Sequence, residues 1–119
     1  MAAPNIASLT TITAKTQGAT LGASSSDIVA NSAASGKVYK VNTILLANKT
    51  GATVEASVSF KDSSGSSYKI VHLVDVPAEG TVIALDKNSV LYLEEGDSVA
   101  GSAGSAGAID IIVSYEEIS

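Results

Sequence analysis

His72 is the single imidazole in the chain, and it stands between Val71 and Leu73 in an apolar run. A metal site of the kind found in β-sandwich enzymes needs several histidines converging with a carboxylate, so His72 reads as a structural or surface group. Any nucleophilic serine would have to borrow the same residue as its base. Neither a Gly-x-Ser-x-Gly elbow nor a phosphate-binding glycine loop with its lysine occurs. Glu94, Glu95 and Asp97 offer oxygens to a hard cation such as calcium. Their spacing matches no EF-hand loop, and adjacent residues of an extended strand point to opposite faces; a solvated turn is the expectation here, and the same objection holds for Glu116 and Glu117. Tyr39, Tyr68, Tyr92 and Tyr115 have rings that could stack on a sugar, yet their periodic placement beside aliphatic residues favours packing at the edge of a core. Asn48-Lys49-Thr50 carries the letters of a glycosylation sequon and is more simply a turn. No catalytic residue, cofactor or metal ligand is expected.

Composition narrows the partners. The net charge is −5 and all seven basic residues are lysines, which argues against nucleic acid, because phosphate binding needs clustered positive charge. Without arginine there is no planar fork for bidentate recognition and no arginine anchor at an interface. Cysteine is absent, so disulfides and thiolate metal sites are excluded. The start, Met1-Ala2-Ala3-Pro4-Asn5, has neither a basic nor an apolar stretch of the secretory kind, and no apolar run approaches the length of a membrane span. Synthesis in a cytoplasm, with no membrane partner, is the expectation.

The elements that position these residues are strands. Val54, Ala56, Val58 and Phe60 alternate with Thr53, Glu55, Ser57, Ser59 and Lys61, the period of a strand with one buried and one wet face. Ala108 to Glu117 repeats the pattern with Ile109, Ile111, Val113 and Tyr115 on one side, and Ile112 interrupts the polar side. Lys37 to Asn48 carries Tyr39, Val41 and Leu45 on one face against Val38, Ile44 and Leu46 on the other, which predicts a central strand or a subunit contact. Asn48 to Gly51 and Asp62 to Gly65 supply turn chemistry, giving two successive hairpins through Tyr68 to Val76. Pro77 to Gly80 closes that strand, and Thr81 to Leu85, Leu91 to Leu93 and Ser98 to Ala103 follow. Gly101 to Gly107 suits a flexible hairpin tip. Weaker strand signals cover Ile6 to Lys15 and Asp27 to Ala30, and residues 1–10 are expected to form an extended arm.

Eight or nine short strands without intervening helices predict one all-β domain over residues 1–119, an antiparallel β-sandwich of jelly-roll or related topology. With one Phe and no Trp the core is light. That, together with apolar residues on nominally exposed faces, predicts protein contacts at Ile6, Ile44, Leu46, Ile112 and Ile118 and self-association into a homo-oligomer.

Leu91-Tyr92-Leu93-Glu94-Glu95-Gly96-Asp97-Ser98-Val99, followed by a small-residue loop and then Ile111-Ile112-Val113-Ser114-Tyr115-Glu116-Glu117-Ile118-Ser119, resembles the small virion structural proteins of tailed bacteriophages, especially those of marine cyanobacteria. The resemblance extends through Met1 to Ile6, Ala34 to Asn42 and Val76-Pro77-Ala78. It implies a non-enzymatic virion component, a capsid decoration or cement subunit whose partners are other virion proteins such as the major capsid protein. A neck, tail, baseplate or fibre protein is the alternative within that class. A carbohydrate-binding adhesion module, resting on the four tyrosines, is the competing reading from another class, and a metal-dependent enzyme built on His72 is a third.

Overall fold

The computed structural model describes residues 10–119. Among these residues nine strands follow in chain order: β1 (Ile12–Thr20), β2 (Ser26–Ala30), β3 (Val38–Asn48), β4 (Val54–Lys61), β5 (Ser67–Val76), β6 (Thr81–Leu85), β7 (Leu91–Leu93), β8 (Ser98–Ala103) and β9 (Ile109–Ile118), with a 3₁₀ turn at Lys87–Ser89. They form two antiparallel sheets. One has the order β1-β9-β3-β6 with β7 also paired to β3, and the other has the order β2-β8-β4-β5. Eight strands in those two orders make a jelly roll, to which β7 is a short addition.

Inward alternate side chains of both sheets build the core. Val41, Ile44 and Leu46 of β3 and Ile109, Ile111 and Val113 of β9 meet Ala56 and Val58 of β4, Val76 of β5 and Val99 of β8. Leu21, in the link from β1 to β2, is buried among them. The alternation expected for β9 is realised, with Ile109, Ile111, Val113 and Tyr115 buried and Ile112 exposed between them. In β4 Ala56 and Val58 are buried as expected, but Ser57 and Ser59 on the expected wet face are buried as well.

Several expectations are corrected. Asn48 to Gly51 does not close a hairpin, because β3 and β4 lie in different sheets; among the expected hairpins only β4 and β5 pair directly. The Gly101 to Gly107 stretch is likewise no hairpin tip: it carries the chain from β8 in one sheet to β9 in the other. Gly101 belongs to β8 and is buried, and a Cβ there would stand 3.0 Å from Leu21 Cδ2 and 3.4 Å from the Ser57 carbonyl oxygen. In β3 the register slips between Val41 and Thr43. The extra residue, Asn42, returns Val41 to the face of Ile44 and Leu46, so the two-sided pattern read from sequence becomes one inward row and one outward row. Finally, β1 spans Ile12 to Thr20, running past the expected end at Lys15; residues 1–9, which hold the start of the strand expected from Ile6 and nearly all of the expected arm, lie outside the described residues.

Candidate interaction surface

The chemistry-bearing residues are scattered. His72 lies exposed on β5. Tyr39 and Tyr115 stack on each other with centroids 5.3 Å apart, Tyr68 stacks on Phe60 at the far side of the other sheet, and Tyr92 stands exposed on β7. The four rings do not share a platform. Among the described residues, no three His, Cys, Asp or Glu side chains cluster in a way that could hold a metal ion.

The acidic turn after β7 is solvated only in part: Glu94 is exposed as expected, and Glu95 and Asp97 are turned into the protein. Asp97 is buried, and its Oδ2 accepts the Glu94 N–H at 2.9 Å. Glu95 Oε2 accepts the Gly36 N–H at 2.8 Å. Asn31, also buried, donates its Nδ2 to the Lys37 and Leu93 carbonyls, and its backbone exchanges hydrogen bonds with Gly96 and Asp97. Glu95 and Asn31 therefore tie the link between β2 and β3 to the turn between β7 and β8, and Asp97 closes that turn on itself. Asn48 plays the matching part at the other end: its Oδ1 accepts from the Thr50 N–H and hydroxyl while its Nδ2 donates to the Ala52 and Val76 carbonyls. An amide so engaged and buried is a turn anchor, since every hydrogen-bonding atom it has is used.

Three of the residues expected to contact a partner are in the chain's own interior. Ile44 and Leu46 are fully buried, placed there by the slip at Asn42, and Ile118 is nearly so, paired with Val38 and Ile12. A side chain with no accessible surface has none to give a partner. Ile6 lies outside the described residues. Ile112 is different: it projects from the outer face of β9 and is 39% exposed.

Register reveals what Ile112 belongs to. It pairs with Leu45 of β3, which in turn pairs with Ile83 of β6. Directly opposed residues on one face have their Cβ atoms within about 5.5 Å, so Ile112, Leu45 and Ile83 form an unbroken apolar row across three strands. Ile83 is 62% exposed. Sequence reasoning singled out Ile112 but missed Leu45 and Ile83, because joining them requires knowing that β9, β3 and β6 are neighbours.

At the end of the same sheet, Glu117 bridges Lys15 at 3.1 Å and Lys37 at 3.0 Å. Burial alone would raise the Glu117 carboxyl, yet hydrogen bonds and charge from the two ammonium groups hold it below the usual carboxylate range. Lys15 is raised in return by its hydrogen bond to Glu117 and by that charge. Asp110 is lowered first by the Thr20 hydroxyl, which donates to it at 2.8 Å, and then by Lys49. Both contacts tie β1 to β9. A shallow depression of about 270 Å³ lies beside them, lined by Ala14, Lys15, Thr16, Asn42, Ser114, Tyr115 and Glu116.

No family model, curated protein or solved structure matches the chain.

Proposed function

We propose that this protein is a non-enzymatic structural subunit of a tailed-phage virion, a decoration or cement subunit that stabilises the particle through protein contacts. The observation that carries the reading is the Ile112-Leu45-Ile83 row, an apolar band on the outside of a sheet whose inward face already fills the core. Exposed contiguous apolar surface of this kind marks a docking site. The strand and turn sequence from Leu91 to Val99 and from Ile111 to Ser119 supports the virion assignment by resemblance. The partner is then another virion protein, the capsid shell above all, and the protein resides in the particle after synthesis in the host cytoplasm.

Mass spectrometry of purified particles tests the assignment, with many copies per particle expected for decoration and few for a neck, tail, baseplate or fibre part. Presence in the infected lysate together with absence from the particles overturns it. Within the reading, Ile83→Asp and Ile112→Asp keep the fold, being exposed, and abolish binding to particles stripped of the subunit. Retained binding by both variants would remove the apolar row from the argument.

A further inference from the structure

Every open sheet edge is a template for another strand, and folded chains guard their edges with bulges, short strands, proline or charge. Here β2 has five residues and a register slip between Asp27 and Val29. On the far side of β3, β6 has five residues and a slip beside Leu45, and β7 has only three. At the other edge of the second sheet, β5 is slipped twice against β4 and carries Leu73 at a φ of 50°. β1 differs from all of these. Its nine residues pair with β9 in unbroken register, without proline, and all but Ala19 are exposed. Its single charge, Lys15, is turned back onto Glu117.

The backbone phase of that edge is fixed. Thr11 and Ser119 exchange both hydrogen bonds, and the Leu21 N–H donates to Ile109. In an antiparallel ladder such pairs recur every second residue, so Thr13, Lys15, Gln17 and Ala19 spend their backbone groups on β9. Ile12, Ala14, Thr16, Gly18 and Thr20 direct theirs to the open side.

We propose that this edge is a homodimer interface, in which β1 of a second copy adds antiparallel across a twofold axis at Thr16. That axis pairs outward residues only with outward residues: Thr16 with its own counterpart, Ala14 with Gly18, Ile12 with Thr20. All nine residues find a partner. Lys15 falls opposite Gln17 and Thr13 opposite Ala19, so neither like charges nor two bulky groups collide. An axis one residue earlier sets Lys15 against Lys15, and like charges directly opposed are unfavourable. One residue later, the axis leaves Ile12 and Thr13 overhanging. An isologous contact requires this kind of self-complementarity, and it makes a second copy the fitting occupant. The inference stands on the edge alone and does not depend on the virion reading.

The test uses the full chain. Sedimentation velocity should show a concentration-dependent monomer–dimer equilibrium. Amide hydrogen exchange should then slow with concentration at Ala14, Thr16 and Gly18, while Lys15, Gln17 and Ala19 are protected at every concentration. Thr16→Pro removes a donor that the monomer does not use, and it should weaken the dimer about tenfold or more. Thr16→Lys places two ammonium groups across the axis and should weaken it in a way that added salt partly restores. A chain that stays monomeric with the three outward amides exchanging freely overturns the proposal. So does a dimer indifferent to both substitutions, or protection of those amides that appears only when a different protein is present.

Discussion

Two edge strands of nearly equal length, β1 and β5, are held by different forces. β5 buries Val76 completely and half-buries Ile70, Val71 and Val74 against the core, so it can tolerate a broken ladder. Leu73, with its left-handed backbone, sends its N–H to the Ser57 hydroxyl at 2.9 Å instead of to a strand carbonyl. β1 buries almost nothing and keeps a perfect ladder, reinforced by Lys15–Glu117 near its middle and Thr20–Asp110 at its last residue. Where side chains supply the free energy the backbone is free to bulge, and where they do not the ladder must be regular. The cost of regularity is an edge that stays open to another strand.

Four experiments can break or sharpen that contrast. Truncation gives the largest effect: Val76→Ala should lower global stability in urea by about 2 kcal/mol or more, as loss of buried methyl groups does, while Ile12→Ala on β1 should stay within about 0.5 kcal/mol. Equal losses would mean that β1 is anchored by burial after all. Next, Ser57→Ala leaves the Leu73 N–H without its acceptor and should cost about 1–2 kcal/mol in the same titration, with faster exchange at Leu73. A neutral result would show that water replaces the hydroxyl.

Leu73→Gly should raise stability by up to about 1 kcal/mol, because glycine adopts a φ of 50° without strain, and little burial is lost from a side chain 53% exposed. A lower thermal midpoint would contradict this.

The smallest effect is a local pH response of β1. Glu117 and Asp110 have folded-state pKa values below their ordinary ones, so their contribution is present above the unfolded carboxylate value and fades as the pH falls through and below about 4. Lys15 is shifted upward, and its contribution is present below the unfolded lysine value and lost as the solution is made strongly alkaline. At acid pH, after correction for the intrinsic rate, the β9-bonded amides of β1 should therefore exchange a few-fold faster, while Val58 on β4 remains protected. Glu117→Gln should produce the same loosening at neutral pH.

Much of the strand map was legible because alternation is local. Val54 to Phe60 and Ile109 to Tyr115 announce a buried face whatever they pair with. Asn42 is the instructive miss: the spacing of Val41 and Ile44 by three, across two polar residues, is the mark of a bulge, and reading the strand as uninterrupted sent Ile44 and Leu46 to the wrong side. Ser57 and Ser59, read as the wet face of β4, are buried because β4 runs between two neighbours. The acidic turn was read as solvated because its partners, Gly36 and Asn31, lie some sixty residues away in the chain.

By itself the sequence determined that this chain makes antiparallel strands, that its core is aliphatic, and that no cysteine or arginine chemistry enters. Only the tertiary structure decided that successive strands mostly cross between sheets, that Leu45 and Ile83 join Ile112, and that β1 is left, among the described residues, with a regular edge that no strand covers. The reason is physical: side-chain alternation is set by the pleat of a single strand, whereas neighbours, register and edges are set by hydrogen bonds between segments far apart in the chain.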